Sequence, residues 1–172
     1  MSTLSQRMIG AAKLDVTTYE EVEADTKATG QAVMVVVLSS IAQGIGMGDL
    51  SGLLSVAIIA LIGWFAWAFI VYIIGTKLLP EPQTHSDMGE LLRTIGFSAS
   101  PGLLQIFGVI PLLGGLIILA ANIWMLIAMV IAVRQALDYS STGRAIQVCV
   151  IGWVVRIVVM VILIMAMGVG PS

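Results

Sequence analysis

Few residues of this chain can do chemistry, and one of them stands in an unexpected place. Arg156 lies within "GWVVRIVVMVILIMAMG", whose other residues suit a hydrocarbon interior. A guanidinium at the centre of an apolar span costs about 2.5–3.5 kcal/mol on insertion scales, so it demands a partner. Gly152 and Trp153 sit one turn back on the same face. A helical side chain leans towards its own N-terminus, so Arg156 is expected to pass over Gly152 and lie against Trp153. Such a cation–π contact contributes about 0.5–2 kcal/mol but no counter-charge. No acid stands at matching depth in the chain. Three solutions follow: bonds to backbone groups inside the protein, near Pro101 or Asn122; an acid, lipid or cofactor of a partner; or a route through lipid to the headgroups.

The other reactive groups carry little. The single histidine, His85, shares a polar loop with Asp87 and Glu90, too few ligands at too irregular a spacing for a fixed metal site. The single Cys149 lies in an apolar run and forms no intrachain disulfide. A phosphate-cradling glycine loop, a nucleophile elbow and a histidine within any span to ligate haem are all missing from the sequence. Catalytic, cofactor-binding and metal-binding residues are therefore expected to be none, and the chain is expected not to be an enzyme. Asp and Glu are absent from the spans, which argues against a proton-coupled transporter as well.

The elements that carry these residues are read from hydropathy. The 172 residues are 59% hydrophobic and 10% charged, too little polar surface to wrap a water-soluble globule. An all-α, polytopic membrane protein is expected. About 20 apolar residues make a span, and the segments fall at about Ala28–Gly46, Leu50–Gly75, Leu91–Pro111, Leu112 or Leu113 to Val133, and Ala145–Met167. Lys and Arg concentrate on the cytoplasmic side of membranes. Here Arg7, Lys13 and Lys27 precede the first segment, Lys77 and Arg93 flank the second connection, and Arg134 and Arg144 flank the fourth. The other connections and the tail have none. Five transmembrane helices with a cytoplasmic N-terminus and an outside C-terminus satisfy both patterns, in a cell inner (cytoplasmic) membrane. No basic run exists to bind nucleic acid, and the first residues lack the apolar core of a cleavable signal peptide.

The chain thus divides into a cytoplasmic segment, 1–27, and a membrane domain, 28–172. In the first, Thr17 or Thr18 with Glu20 or Glu21 forms a capping-box pattern. Tyr19 and Val22 share a face of the short interfacial helix it would start. Its acidity makes a solvated cap or a partner contact through Tyr19 and Glu20 the two readings. In the membrane domain, Ala128, Ala132 and Ala136 repeat every four residues as a helix-packing stripe. Gly44, Gly48 and Gly52 repeat likewise across a turn. Pro101 breaks the third span, with Ser98 and Ser100 placed to satisfy freed backbone groups.

Several stretches resemble a known family. They are "YEEVEADTKATGQA" leading into the first span, "LLRTIGFSASPGLL" in the third, and "GGLIILAANIWMLIAMVIAVRQALDYSSTGRAI" leading to "VIGWVV". Together they resemble the YIP family, membrane proteins named for interaction with Ypt/Rab GTPases. The resemblance runs from about Asp15 onward and is most specific from Gly114 to Trp153. It implies five spans and no catalytic residues. With about 27 residues before the first span, the chain is similar to the compact prokaryotic form, for which Rab partners do not exist. Arg156 stands where the family is expected to hold an apolar or aromatic residue. The resulting expectation is a scaffold or accessory subunit acting through membrane lipids, other membrane-protein subunits or its own copies. A peripheral place in a respiratory, photosynthetic or transport complex fits that reading. The rival is a small channel or transporter with a polar path along Ser98, Pro101, Gln105 and Arg156.

Overall fold

The structure, a computed structural model, describes residues 2–166, and among these every regular element is helical. Two short helices come first, α1 (Leu4–Ala12) and α2 (Val16–Ala24), where the sequence pattern predicts one. Thr3 caps α1 through a reciprocal box with Gln6. The cap of α2 differs from expectation. Asp15, not Thr17 or Thr18, is the N-cap: its carboxylate accepts the Thr17 N–H and both threonine hydroxyls. A carboxylate is the stronger acceptor, so it takes the cap position and leaves both threonines in the first turn.

Among the described residues, four helices are long and apolar enough to cross a membrane. They are α3 (Ala28–Gly46), α4 (Leu53–Ile73, continued by a π turn over Ile74–Leu78), α6 (Gly114–Ala136) and α7 (Thr142–Ala166). The expected end of the last span, Met167, lies outside the described residues.

The third segment is built otherwise. An α-helix, α5 (Met88–Phe97), gives way at Ser98 to a 3₁₀ helix over Ser100–Val109 with Pro101 in its first turn. Proline at that position needs no N–H donor, and the Ser98 and Ser100 hydroxyls donate to the carbonyls of Ile95 and Phe97. Runs of 3₁₀ beyond three or four residues are uncommon. This one is held by close approach to its neighbours. A methyl group at Gly102 would overlap the Ser39 hydroxyl, and one at Gly46 would overlap the Gln105 carbonyl. The pairings Gly96 with Ala32, Gly102 with Ser39 and Gly108 with Gly46 run in one direction, so α5 and the 3₁₀ helix travel alongside α3, parallel to it, for its whole length.

The core gathers at one end. Tyr19, Val22, Ala28, Ala32, Phe97 and Ala132 form one buried cluster beneath α1 and α2. Trp67, Val71, Leu91, Val133, Leu137 and Val148 form the other. The alanine stripe of α6 faces inward in full, Ala128, Ala132 and Ala136 being completely buried. Helix α7 reaches this core through Ala145, Val148, Cys149 and Gly152, all in its first half.

Candidate functional site

Two polar arrangements stand out, one at the capped end of the bundle and one midway along it. At the end capped by α1 and α2, cations are built into the fold. Arg7, only 2% exposed, donates to Glu21 at 2.9 Å, Asp25 at 2.7 Å and Gln31 at 3.0 Å. Arg93 is also buried, and its guanidinium donates to the Val22 and Glu23 carbonyls at the end of α2. That is the favourable place for a cation, because the last carbonyls of a helix lack internal partners. Trp124 pins α1 by donating to the Ala12 carbonyl at 2.7 Å. Tyr139 donates to the carbonyls of Gly75 and Leu79, and Arg144 pairs with Glu81 at 3.8 Å.

The acids of the cap respond to this setting. The Glu21 carboxyl is held down to about 2 by the Ser2 hydroxyl and Arg7. The Glu23 carboxyl is pushed up to about 7 by desolvation, with Asp138 and Glu90 nearby adding to the effect.

The second arrangement is a cavity of about 650 Å³ among α3, α4, α5, the 3₁₀ helix, α6 and α7. Each element gives one stripe: Ser39, Ser40 and Gln43 from α3, Trp64 and Trp67 from α4, Asn122 and Met125 from α6, and Trp153 and Arg156 from α7. Ser98 and Gln105 complete it at the break in the third segment. The amide of Gln105, 1% exposed, donates to the Asn122 carbonyl oxygen at 2.9 Å.

Among the described residues, Arg156 is the only charged one on this cavity wall. Its guanidinium carbon lies 5.8 Å from the centre of the Trp153 ring, and it has no hydrogen-bond or ion-pair partner among the described residues. It does not bond to backbone near Pro101, and Pro101 and Ser100 lie buried away from the cavity lining. Gly152 serves a different neighbour from the one its position predicts. A Cβ there would come within 3.0 Å of the Trp67 ring, so the missing side chain admits the indole of α4 rather than Arg156. Trp67 then meets Trp153 edge to face at 6.2 Å. The indole N–H of Trp67 is buried with no acceptor among the described residues.

Of the residues singled out from sequence, the cavity brings together Arg156, Trp153, Ser98 and Gln105. Tyr19 and Glu20 lie far from it, in the cap. Tyr19 is fully buried and donates to the Ala11 carbonyl, whereas Glu20 is exposed and accepts from Gln135. Sequence reasoning missed the buried clamps of Arg7 and Arg93, which it counted only as charges that set orientation. The Thr3–Gln6 pair was the legible sign of a helix there. It also passed over the polar stripe Ser39–Ser40–Gln43, whose helical spacing marks one face of α3.

No curated protein and no solved structure matches the chain. A family model described as the Yip1 domain matches residues 16–164, which covers α2 through nearly all of α7. The chain belongs to the Yip1 family.

Proposed function

We propose that the protein is a non-enzymatic scaffold or accessory subunit of the cytoplasmic membrane that works through contacts within the bilayer. In this reading it crosses five times. The third crossing, added to the four long helices, is α5 with the 3₁₀ helix, whose parallel course beside α3 supports the count. The lysines and arginines at the capped end, against none in the connection around Asp49, support a cytoplasmic N-terminus. A peripheral place in a larger respiratory, photosynthetic or transport assembly is the specific form of the reading.

One observation carries it. From Trp153 to Ile162 no residue of α7 is buried, and beyond Arg156 the six positions Ile157 to Ile162 are exposed around the whole helix. Within a bilayer, lipid tails satisfy such a surface, and packing against another helix replaces them at little cost. The test places a photo-crosslinking residue at Met160, which is 53% exposed, in native membranes. An adduct with a second protein chain at defined stoichiometry is expected, with the same group at buried Ala128 linking only within the chain. Lipid adducts alone at Met160 contradict the reading.

The cavity favours a second reading, a small channel or carrier, because Ser98, Gln105 and Arg156 share its wall. Flux of a small anion into liposomes containing only this chain separates the two.

A further inference from the structure

The cavity wall is chemically one-sided. Arg156 offers donors and a full positive charge, and nothing among the described residues accepts from it or balances it. Trp67, on the same wall, holds an indole N–H with no acceptor. The amide pair Gln105–Asn122 is already internally bonded. Ser39, Ser40, Gln43 and Ser98 add neutral polar groups, and the larger part of the lining is apolar, with Ile59, Met125 and Leu126 among it. A volume of about 650 Å³ falls within the range of small-molecule sites, roughly 300–1,000 Å³. The α7 wall consists of Trp153 and Arg156 alone, and beyond them the helix buries nothing against the bundle through Ile162.

We infer that this cavity binds a single-chain amphiphile with an anionic oxygen head, carboxylate or phosphate. The head sits against Arg156, and the chain lies over the apolar lining towards the gap beside the second half of α7. The position of Arg156 selects this class. It is 14 residues into α7, about 21 Å along the axis at ~1.5 Å per residue, so it lies deep within an apolar helix. A bare inorganic anion gains nothing from the apolar lining. An acyl chain brings its own hydrophobic contribution, and the head supplies the counter-charge that the chain itself lacks. Arg156 thereby becomes a specificity-determining residue for a membrane-borne anion. The inference rests on the reading of a membrane protein that acts through contacts within the bilayer, but it does not need a protein partner on α7.

The test uses the full-length chain purified in an uncharged detergent, with binding followed by native mass spectrometry and by thermal unfolding. The probes are oleate for the carboxylate head, an oleoyl lysophosphatidate for the phosphate head, and mono-oleoylglycerol as the neutral control. At least one anionic probe is expected to bind at least tenfold tighter than the neutral one. Which of the two wins assigns the head chemistry. Arg156→Gln is expected to weaken that binding at least tenfold, and Arg156→Lys to keep most of it. A second variant fills the space without touching the charge. Gly63 lies on the cavity wall, and a Cβ there meets nothing within 4 Å, so Gly63→Leu should fold as the wild type does and bind at least tenfold more weakly. Equal binding of the neutral probe, or unchanged binding by either Arg156→Gln or Gly63→Leu, overturns the inference. These outcomes are independent of crosslinking at Met160: an amphiphile bound to a chain without protein partners leaves the site standing and removes the scaffold reading.

Discussion

The capped end and the middle of this bundle treat the same side chain in opposite ways. Arg7 and Arg93 are buried under the α1–α2 cap with the guanidinium hydrogen-bonded, by two carboxylates and the Gln31 amide in one case and helix-end carbonyls in the other. Arg156 lines a cavity with only an aromatic ring beside it. Buried cations that are fully bonded fix a structure, because removing one strands its partners. A cation held only by the face of an exposed aromatic ring gains about 0.5 kcal/mol and is poised to meet an external acceptor. The difference assigns structure to the capped end and contact to the cavity.

The comparison can be broken at its structural side first. Arg93→Leu leaves the Val22 and Glu23 carbonyls without their donor and should destabilise the fold by about 2–4 kcal/mol, at roughly 1–3 kcal/mol per orphaned buried group. Arg7→Leu should cost slightly less, on the order of 2–3 kcal/mol, because Glu21 is 36% exposed and water partly replaces the lost cation. Both are read as loss of thermal stability in detergent, and a shift no larger than that of an exposed Lys77→Gln control would show that the cap does not anchor the bundle.

Acidity sharpens the same end. Glu23, half-buried and pushed up to about 7 from an ordinary 4.5, keeps a proton in the folded chain that the unfolded chain has released. Stability is therefore expected to fall as pH rises from about 4.5 to 7, since the folded state binds more protons across that window. The groups facing it are Asp138, Glu90, Arg93 and Glu20, of which only Arg93 opposes the shift. Glu21 acts in the other sense. Held down to about 2, it contributes stability above its ordinary 4.5 that is lost as pH falls towards 2. Glu23→Gln should thus raise the melting temperature at pH 8 and leave it unchanged near pH 4.5. A benefit equal at both pH values contradicts this assignment.

Trp67→Phe probes the cavity and should have a smaller effect of a telling sign. It keeps most of the ring packed against Gly152 and deletes an N–H that has no acceptor among the described residues. Without ligand the change should be neutral or slightly stabilising, since an unsatisfied buried donor disappears. Destabilisation by more than about 1 kcal/mol would mean that the indole N–H has an acceptor in the working protein even without added amphiphile.

What the sequence revealed divides along the same line. Hydropathy located α3, α4, α6 and α7 because a continuous apolar run has one dominant structural outcome. The alanine stripe of α6 was legible because small residues at i, i+4 can only serve close packing. The break after Phe97 was visible in Ser98, Ser100 and Pro101, but the switch to 3₁₀ was not. It goes with Gly102 meeting Ser39 and Gly108 meeting Gly46 across two elements, which no local window records. The cap failed for a similar reason. Thr17 and Thr18 looked like N-cap residues until Asp15 competed for the position, and Arg7 and Arg93 reached partners 14 to 71 residues away. Arg156 was legible as an anomaly and Trp153 as its neighbour. The cavity around it was not, because its polar wall draws single stripes from separate helices.

The central claim is that Arg156 is dispensable for the fold and decisive for what the fold meets. The most direct measurement compares thermal unfolding of the wild type and Arg156→Leu in an uncharged detergent, with and without an anionic amphiphile. The account predicts equal melting temperatures without amphiphile, within the ~0.5 kcal/mol typical of substitutions away from structural contacts, and a ligand-induced rise in the wild type alone. A variant that already melts well below the wild type without ligand, or that rises as much as the wild type when ligand is added, contradicts it.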